Sequence, residues 1–274
     1  MNQGYYRFPT INADRVVFVC EDDLWSVPLS GGPASRLTVS FGTCSTPRFS
    51  PDGNSIAFIS TDEGHPEVYL MPAQGGRPKR LTFLGGTLAS MSGWSPDGNR
   101  IFFVSNSASW YERATQGYAI DVDGTGLRAL GLGHMKSFSF GPGGTMVIGR
   151  NETDPARWKR YRGGTAGELW IDRHGEGTFE RMPIDGGNPV WPMWVGDRIF
   201  FLDDRDGIGN IYSCTTLGTD LRRETHEPEY YARFPSTGGS RIVYSTGGTI
   251  SMLDTRSGEV RQIEIETASA APQT

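Results

Sequence analysis

Lysine is scarce in this sequence: Lys79, Lys136 and Lys159 are the only ones among 26 basic residues. The positive charge is therefore almost all guanidinium, which suits bidentate contacts to carboxylates. A formal net charge of −5 and a pI near 5.4 leave no global basic field to gather nucleic acid or an anionic membrane. Cysteine is equally thin. Cys20, Cys44 and Cys214 are odd in number, widely spaced and without a CxxC pair, so neither a disulfide framework nor a zinc site is supported. No apolar run approaches the ~18 residues of a membrane span, and the N-terminal MNQGYYRFPT has no apolar h-region. A soluble cytoplasmic protein is expected. Of the four histidines, His65, His134 and His174 fall in predicted turns and His226 follows a predicted rim strand. None has a partner at catalytic or metal-ligand spacing, and no GxSxG, HExxH or P-loop pattern occurs. No catalytic residue, metal or cofactor is expected.

Glycine (37) and proline (17) are abundant instead, a share that fits many short strands joined by tight turns. They recur at a fixed period. Ser50-Pro51-Asp52-Gly53 returns as Ser95-Pro96-Asp97-Gly98, 45 residues on, and Arg36-Leu37-Thr38 returns as Arg80-Leu81-Thr82, 44 residues on. With that register, one aromatic marks each repeat just before the first turn: Phe8, Phe49, Trp94, Phe140, Trp194 and Phe234. A strand rich in β-branched and aromatic residues follows each, for example Ile56 to Ser60, then a third such as Val68 to Met71, then a short polar fourth. Four strands per unit of roughly 40–50 residues is the blade period of a β-propeller. The fold class predicted is all-β, a six-bladed β-propeller of four-stranded antiparallel blades spanning residues 1–266, with blades near 4–42, 43–87, 88–134, 135–187, 188–228 and 229–266 and a polar tail at 267–274. The chain starts on a first strand and ends on a fourth, so no strand is left to exchange. The ring is expected to close by packing alone, without a shared Velcro blade.

TPRFSPDGNSIAF with VYLMPAQGGRPKRLT resembles the repeat of TolB-type propellers and of prolyl oligopeptidase relatives. GYYRFPTINADRVVFVCEDDLWSVPLSGGPASRLT, RWKRYRGGTAGELWI and DRDGIGNIYSC resemble, more narrowly, the N-terminal six-bladed propeller of the tricorn protease family, from about Gly4 to Glu266. The resemblance implies a propeller without Velcro closure. In that family it precedes a seven-bladed propeller, a PDZ domain and serine-protease domains, and its proposed role is a channel or sieve for peptides. The function expected is a non-catalytic domain guiding peptides and docking to protease domains or neighbouring subunits. Two alternatives stand beside it: a stand-alone TolB-like protein-binding propeller, and a six-bladed propeller hydrolase or lactonase with a metal in its channel.

Two sets of side chains are candidate sites. The residues preceding the six aromatics include Arg7, Arg48 and Arg233, which that register puts at one position in three consecutive blades. They form either a basic arc beside the channel that attracts a peptide carboxylate, or partners for carboxylates of adjacent blades. The aromatics themselves are expected in the core between blades. The second set is the long insertion of blade four between its second and third strands, Asn151 to Glu168, with Arg157, Trp158, Lys159, Arg160, Tyr161 and Arg162 interleaved. It reads as a docking surface, or as a structural loop tied to blade carboxylates. Blade three carries a shorter insertion, Asn106 to Gly117. Asp121-Val122-Asp123-Gly124 resembles the start of a calcium loop but lacks the remaining ligands, so it is expected to be a turn.

Overall fold

Each repeat does become a blade. The computed structural model describes residues 5–111 and 114–268. Residues 112 and 113 of the blade-three insertion, Gly4, and 269–274 of the predicted tail lie outside the described residues. Six four-stranded antiparallel sheets follow one another, each built from one continuous stretch of chain. Their innermost strands are Arg7–Asn12, Cys44–Phe49, Ala89–Trp94, Ser137–Phe140, Val190–Val195 and Arg233–Gly238. The second strands, such as Ser55–Ser60 and Arg198–Asp203, are buried along nearly their whole length, because both faces of a blade pack against neighbouring blades. Accordingly the apolar core is divided into six clusters, one per blade interface. Fully buried rings such as Phe58, Phe103 and Tyr244 each contribute roughly 1.5–3 kcal/mol of transfer free energy. The outer strands are short, two residues in blades one, two, four and five, which limits the exposed edge. Among the described residues no helix is long and apolar enough to cross a membrane.

Turn chemistry sets the hairpins. In Ser-Pro-Asp-Gly-Asn, the Ser50 hydroxyl donates to Asp52 at 2.5 Å, Asn54 N–H donates to the same carboxylate at 3.0 Å, and Gly53 takes φ 72°. Blade three repeats this with Asp97, whose carboxyl is held down to about 2 by the Ser95 hydroxyl and the Asn99 donors. Asp121 to Thr125 likewise closes as a turn, through Asp121 N–H to the Thr125 carbonyl at 3.0 Å. In each blade the loop between strands two and three and the connector to the next blade emerge on one face of the disc, here the upper face. The hairpins joining strands one and two, and three and four, emerge on the other.

Among the described residues no blade borrows a strand from the opposite end of the chain, yet the ring is not closed by packing alone, which corrects the expectation from the termini. Ile265–Glu266 pairs in parallel with Gly32–Pro33 of blade one. Gly32 N–H donates to the Glu264 carbonyl at 2.9 Å and Ala34 N–H to that of Glu266 at 2.8 Å. The Tyr6 hydroxyl adds a bond to the Ile265 carbonyl at 3.3 Å. Strand counting misses this latch because its segments are two residues long and carry no periodic signal.

Candidate functional site: the central channel and the upper face

The six innermost strands surround a cavity of about 470 Å³ along the propeller axis. Its wall is aromatic. Phe8, Phe49, Trp94, Phe140, Trp194 and Phe234 all line it, together with Trp191. Phe8 and Phe234 lie 4.1 Å apart between ring centroids, and Trp191 is 5.8 Å from Phe234. The assignment of these rings to the core between blades is therefore corrected in part. Phe49 is buried in such a core and Phe8, Trp94, Phe140 and Trp194 pack against one, but each also faces the channel. Arg48 and Lys136 are the charged residues in the lining, and no carboxylate is among them.

The strand registers revise the arginine arc. Arg48 pairs with Ala57 at the third residue of its second strand, and the matching residues in blades one and six are Thr10, opposite Val17, and Ser236, opposite Val243. Arg7 and Arg233 stand three residues earlier, opposite Val19 and Ser245. The letters Arg-Phe in Arg7-Phe8-Pro9 and Pro47-Arg48-Phe49 invite the slip. The proline is the true marker: Phe8, Thr46, Trp191 and Phe234 each precede one, sit at a bulge and take φ between 46° and 53°. Only Arg48 of the three lines the channel.

Their partners differ as well. Arg7 pairs with Asp22 of its own blade at 3.0 Å. Arg233 is held by Asp154 of the blade-four insertion, with its Nε at 3.0 Å, and lies 4.5 Å over the Phe234 ring. Arg48 donates to the Pro47 carbonyl at 2.9 Å and has no ion pair among the described residues. Burial pulls its guanidinium down to about 10, so it remains a cation at neutral pH. A desolvated cation facing a ring-lined cavity favours an anion there.

The blade-four insertion is exposed along its cationic stretch and tied to a blade-five carboxylate. Arg157, Trp158, Lys159, Arg160 and Arg162 are exposed, as a docking surface requires, and Tyr161 is half-buried against Trp158 at 5.1 Å. The same loop is tied to carboxylates: Arg162 Nη1 donates to Asp204 at 2.8 Å and Arg160 N–H donates to it at 2.5 Å. Lys159 Nζ lies 5.7 Å from the Tyr231 ring. The loop's root carries Glu152, 8% exposed, which accepts from the Ser137 hydroxyl at 2.9 Å and from Trp191 N–H at 2.5 Å. Its other oxygen is buried without a partner, and burial pushes the carboxyl up to about 7. Sequence reading passed over Glu152, Asp154 and Trp191. The only signal was the repeated X-Pro step.

The upper face is also where exposed rings collect. Phe41, Phe83, Trp110, Tyr111 and Tyr230 join Trp158 there, while exposed apolar residues of the lower face, Leu127, Leu217, Leu221 and Val260, are aliphatic. Among the described residues no histidine imidazole is hydrogen-bonded to a serine or a carboxylate, and no His, Cys, Asp and Glu cluster has metal-binding geometry.

A family model described as the tricorn protease N-terminal beta propeller domain matches residues 3–259. Tricorn protease homolog 1 of Streptomyces coelicolor is 41% identical over 270 residues, covering 97% of this chain and 25% of that protein. The tricorn protease of Thermoplasma acidophilum is 34% identical over 266 residues, covering 94% of this chain and 25% of its own. The crystal structure of the tricorn protease superposes with a TM-score of 0.89 at 32% identity, covering 99% of this chain and 27% of the other. The chain thus spans about a quarter of the length of these relatives.

Proposed function

This chain belongs to the tricorn protease N-terminal β-propeller family, and we propose that it is a non-catalytic module of a tricorn-type serine peptidase, guiding peptides through its channel and docking to protease domains or neighbouring subunits through its upper face. The observation that carries the channel role is a ring-lined cavity whose charged lining residues, Arg48 and Lys136, are both cationic. Rings accept apolar side chains without regard to sequence, and a guanidinium in low dielectric holds a carboxylate by charge-assisted hydrogen bonds. Arg7 and Arg233 are neutralised by Asp22 and Asp154, so the carboxylate function falls to Arg48.

The test is titration with fluorescent pentapeptides ending in a free carboxylate or an amide. Arg48→Gln is expected to weaken the free acid about tenfold, the scale of one charge-assisted contact, and to leave the amide unchanged. Arg7→Gln is expected to change neither. Equal affinity of wild type for acid and amide would overturn the reading.

For docking, the support is the gathering of exposed aromatics on one face, since rings of this kind anchor interfaces. Replacing Phe41, Phe83 and Trp110 together by Ser is expected to lower affinity for the remaining domains of the Streptomyces coelicolor relative by at least about 30-fold, as loss of a hot spot does. Unchanged co-elution on size exclusion would remove that part of the proposal.

A further inference from the structure

The blade-four insertion is tied beyond its own blade, which it meets through Glu152 and Ser137. It leaves Arg150, passes over blade five and reaches blade six, making a different polar contact at each stage. Near its start Glu152 accepts the backbone N–H of Trp191, in the innermost strand of blade five. Two residues on, Asp154 accepts from Arg233, in the innermost strand of blade six. Further along, Arg160 and Arg162 close on Asp204, a fully buried carboxylate between strands two and three of blade five.

What the first two contacts hold is specific. Trp191 and Phe234 are channel rings 5.8 Å apart. Trp191 takes φ 52° immediately before Pro192, a left-handed conformation that costs a non-glycine residue about 1–2 kcal/mol, and its N–H is fixed by Glu152. Phe234 takes φ 53° before Pro235, and the guanidinium that Asp154 fixes lies over its ring. Both rings therefore sit in unfavourable backbone geometry, each held from outside the channel by a carboxylate of the same loop. The two ties differ in strength. Glu152 is buried, whereas the Asp154 and Arg233 side chains are 12% and 22% exposed, so water competes for that pair.

We propose that residues 151–167 form a clasp over the upper mouth of the channel, in which Asp154 and Glu152 are positioning residues for Phe234 and Trp191, and that release of the Asp154–Arg233 pair widens the mouth. The clasp concerns the bore and not what passes through it, so it stands or falls independently of peptide guiding. It gives the insertion a purpose on the isolated propeller, separate from docking.

The experiment introduces one reporter thiol. Cys20, Cys44 and Cys214 are buried, and Ser90 lines the channel near its upper mouth, so Ser90→Cys supplies the reactive group. Its rate of modification by a bulky maleimide is measured with and without Asp154→Asn, alongside backbone hydrogen exchange by mass spectrometry. Asp154→Asn is expected to raise the labelling rate about tenfold and to speed exchange in segments containing Trp191 and residues 151–167. Exchange in the innermost strand of blade two, Cys44–Phe49, should not change. The charge swap Asp154→Arg with Arg233→Asp is expected to return labelling toward the parent rate. An unchanged labelling rate in Asp154→Asn overturns the clasp, and so does acceleration of exchange spread equally over all blades, which would make the pair a general stabiliser.

Discussion

Glu67→Ala is expected to lower the free energy of unfolding by about 3–5 kcal/mol, the cost of breaking a buried ion pair from one side. Glu67 is fully buried at the start of the third strand of blade two. Its carboxylate accepts from the Thr82 hydroxyl at 2.5 Å, from Gly85 N–H at 2.9 Å and from Arg80 Nη2 at 3.2 Å. Thr82 in turn accepts Val68 N–H at 2.9 Å. Removing the carboxylate takes one partner each from a buried hydroxyl, a backbone donor and a guanidinium. Burial alone would raise the Glu67 carboxyl, but the Gly85 and Thr82 hydrogen bonds and Arg80 outweigh it and hold it below its ordinary value. The stabilisation is therefore present above the ordinary carboxyl pKa and is lost as pH falls through the lower folded-state value. Urea unfolding at pH 7 gives the measurement. Glu63→Ala is the control, since Glu63 also meets Arg80 but its side chain is 60% exposed, and its loss is expected to cost no more than about 1 kcal/mol. Equal midpoints for the two variants would show that the network does not stabilise the blade.

Glu152→Gln has the opposite sign. The carboxyl is pushed up from 4.5 to about 7 because it is buried with one oxygen unpartnered. A folded-state value above the unfolded one means that the native state holds the proton more tightly. The stability tied to that proton is fully present below pH 4.5 and drains away as pH rises to about 7. Glutamine keeps a carbonyl for Trp191 N–H and never ionises. Above pH 7 the variant is expected to be more stable than the parent by about 3–3.5 kcal/mol, at about 1.4 kcal/mol per pH unit, and the difference is expected to vanish below pH 4.5. Lys136 draws the carboxyl the other way, so Lys136→Met should enlarge the gain. Paired urea titrations from pH 4 to 8 measure it. A gain that does not depend on pH would mean that Glu152 acts by packing and not by charge.

Glu67 also shows how much could be read without coordinates. The repeated Arg-Leu-Thr was visible at Arg36 and Arg80 as a rim strand. Its chemistry was not, because the acid it serves lies 13 residues earlier, at Asp23 and Glu67. In blade five the same place is taken by Asn210, bonded to Thr225 at 2.9 Å, so the acid is not an invariant letter that a repeat search would isolate. The channel is a similar case. Aromatic spacing located all six rings on innermost strands, but four of them fell at one strand position and Phe8 and Phe234 three residues earlier, at the bulge before proline that Thr46 and Trp191 occupy in blades two and five.

The sequence by itself determined that the chain is a ring of six four-stranded blades, since blade identity is written in local periodicity, hairpin residues and the second-strand apolar runs that each repeat carries separately. It also placed the long insertion in blade four and supplied the exposed cations on it. The tertiary structure alone decided which arginine faces the channel without a carboxylate, that Asp154 reaches Arg233 across an intervening blade, and that a two-residue parallel pair joins the last blade to the first. Those outcomes rest on distances between segments as much as 233 residues apart, set by how the blades close into a disc, and no property of either segment taken alone encodes them.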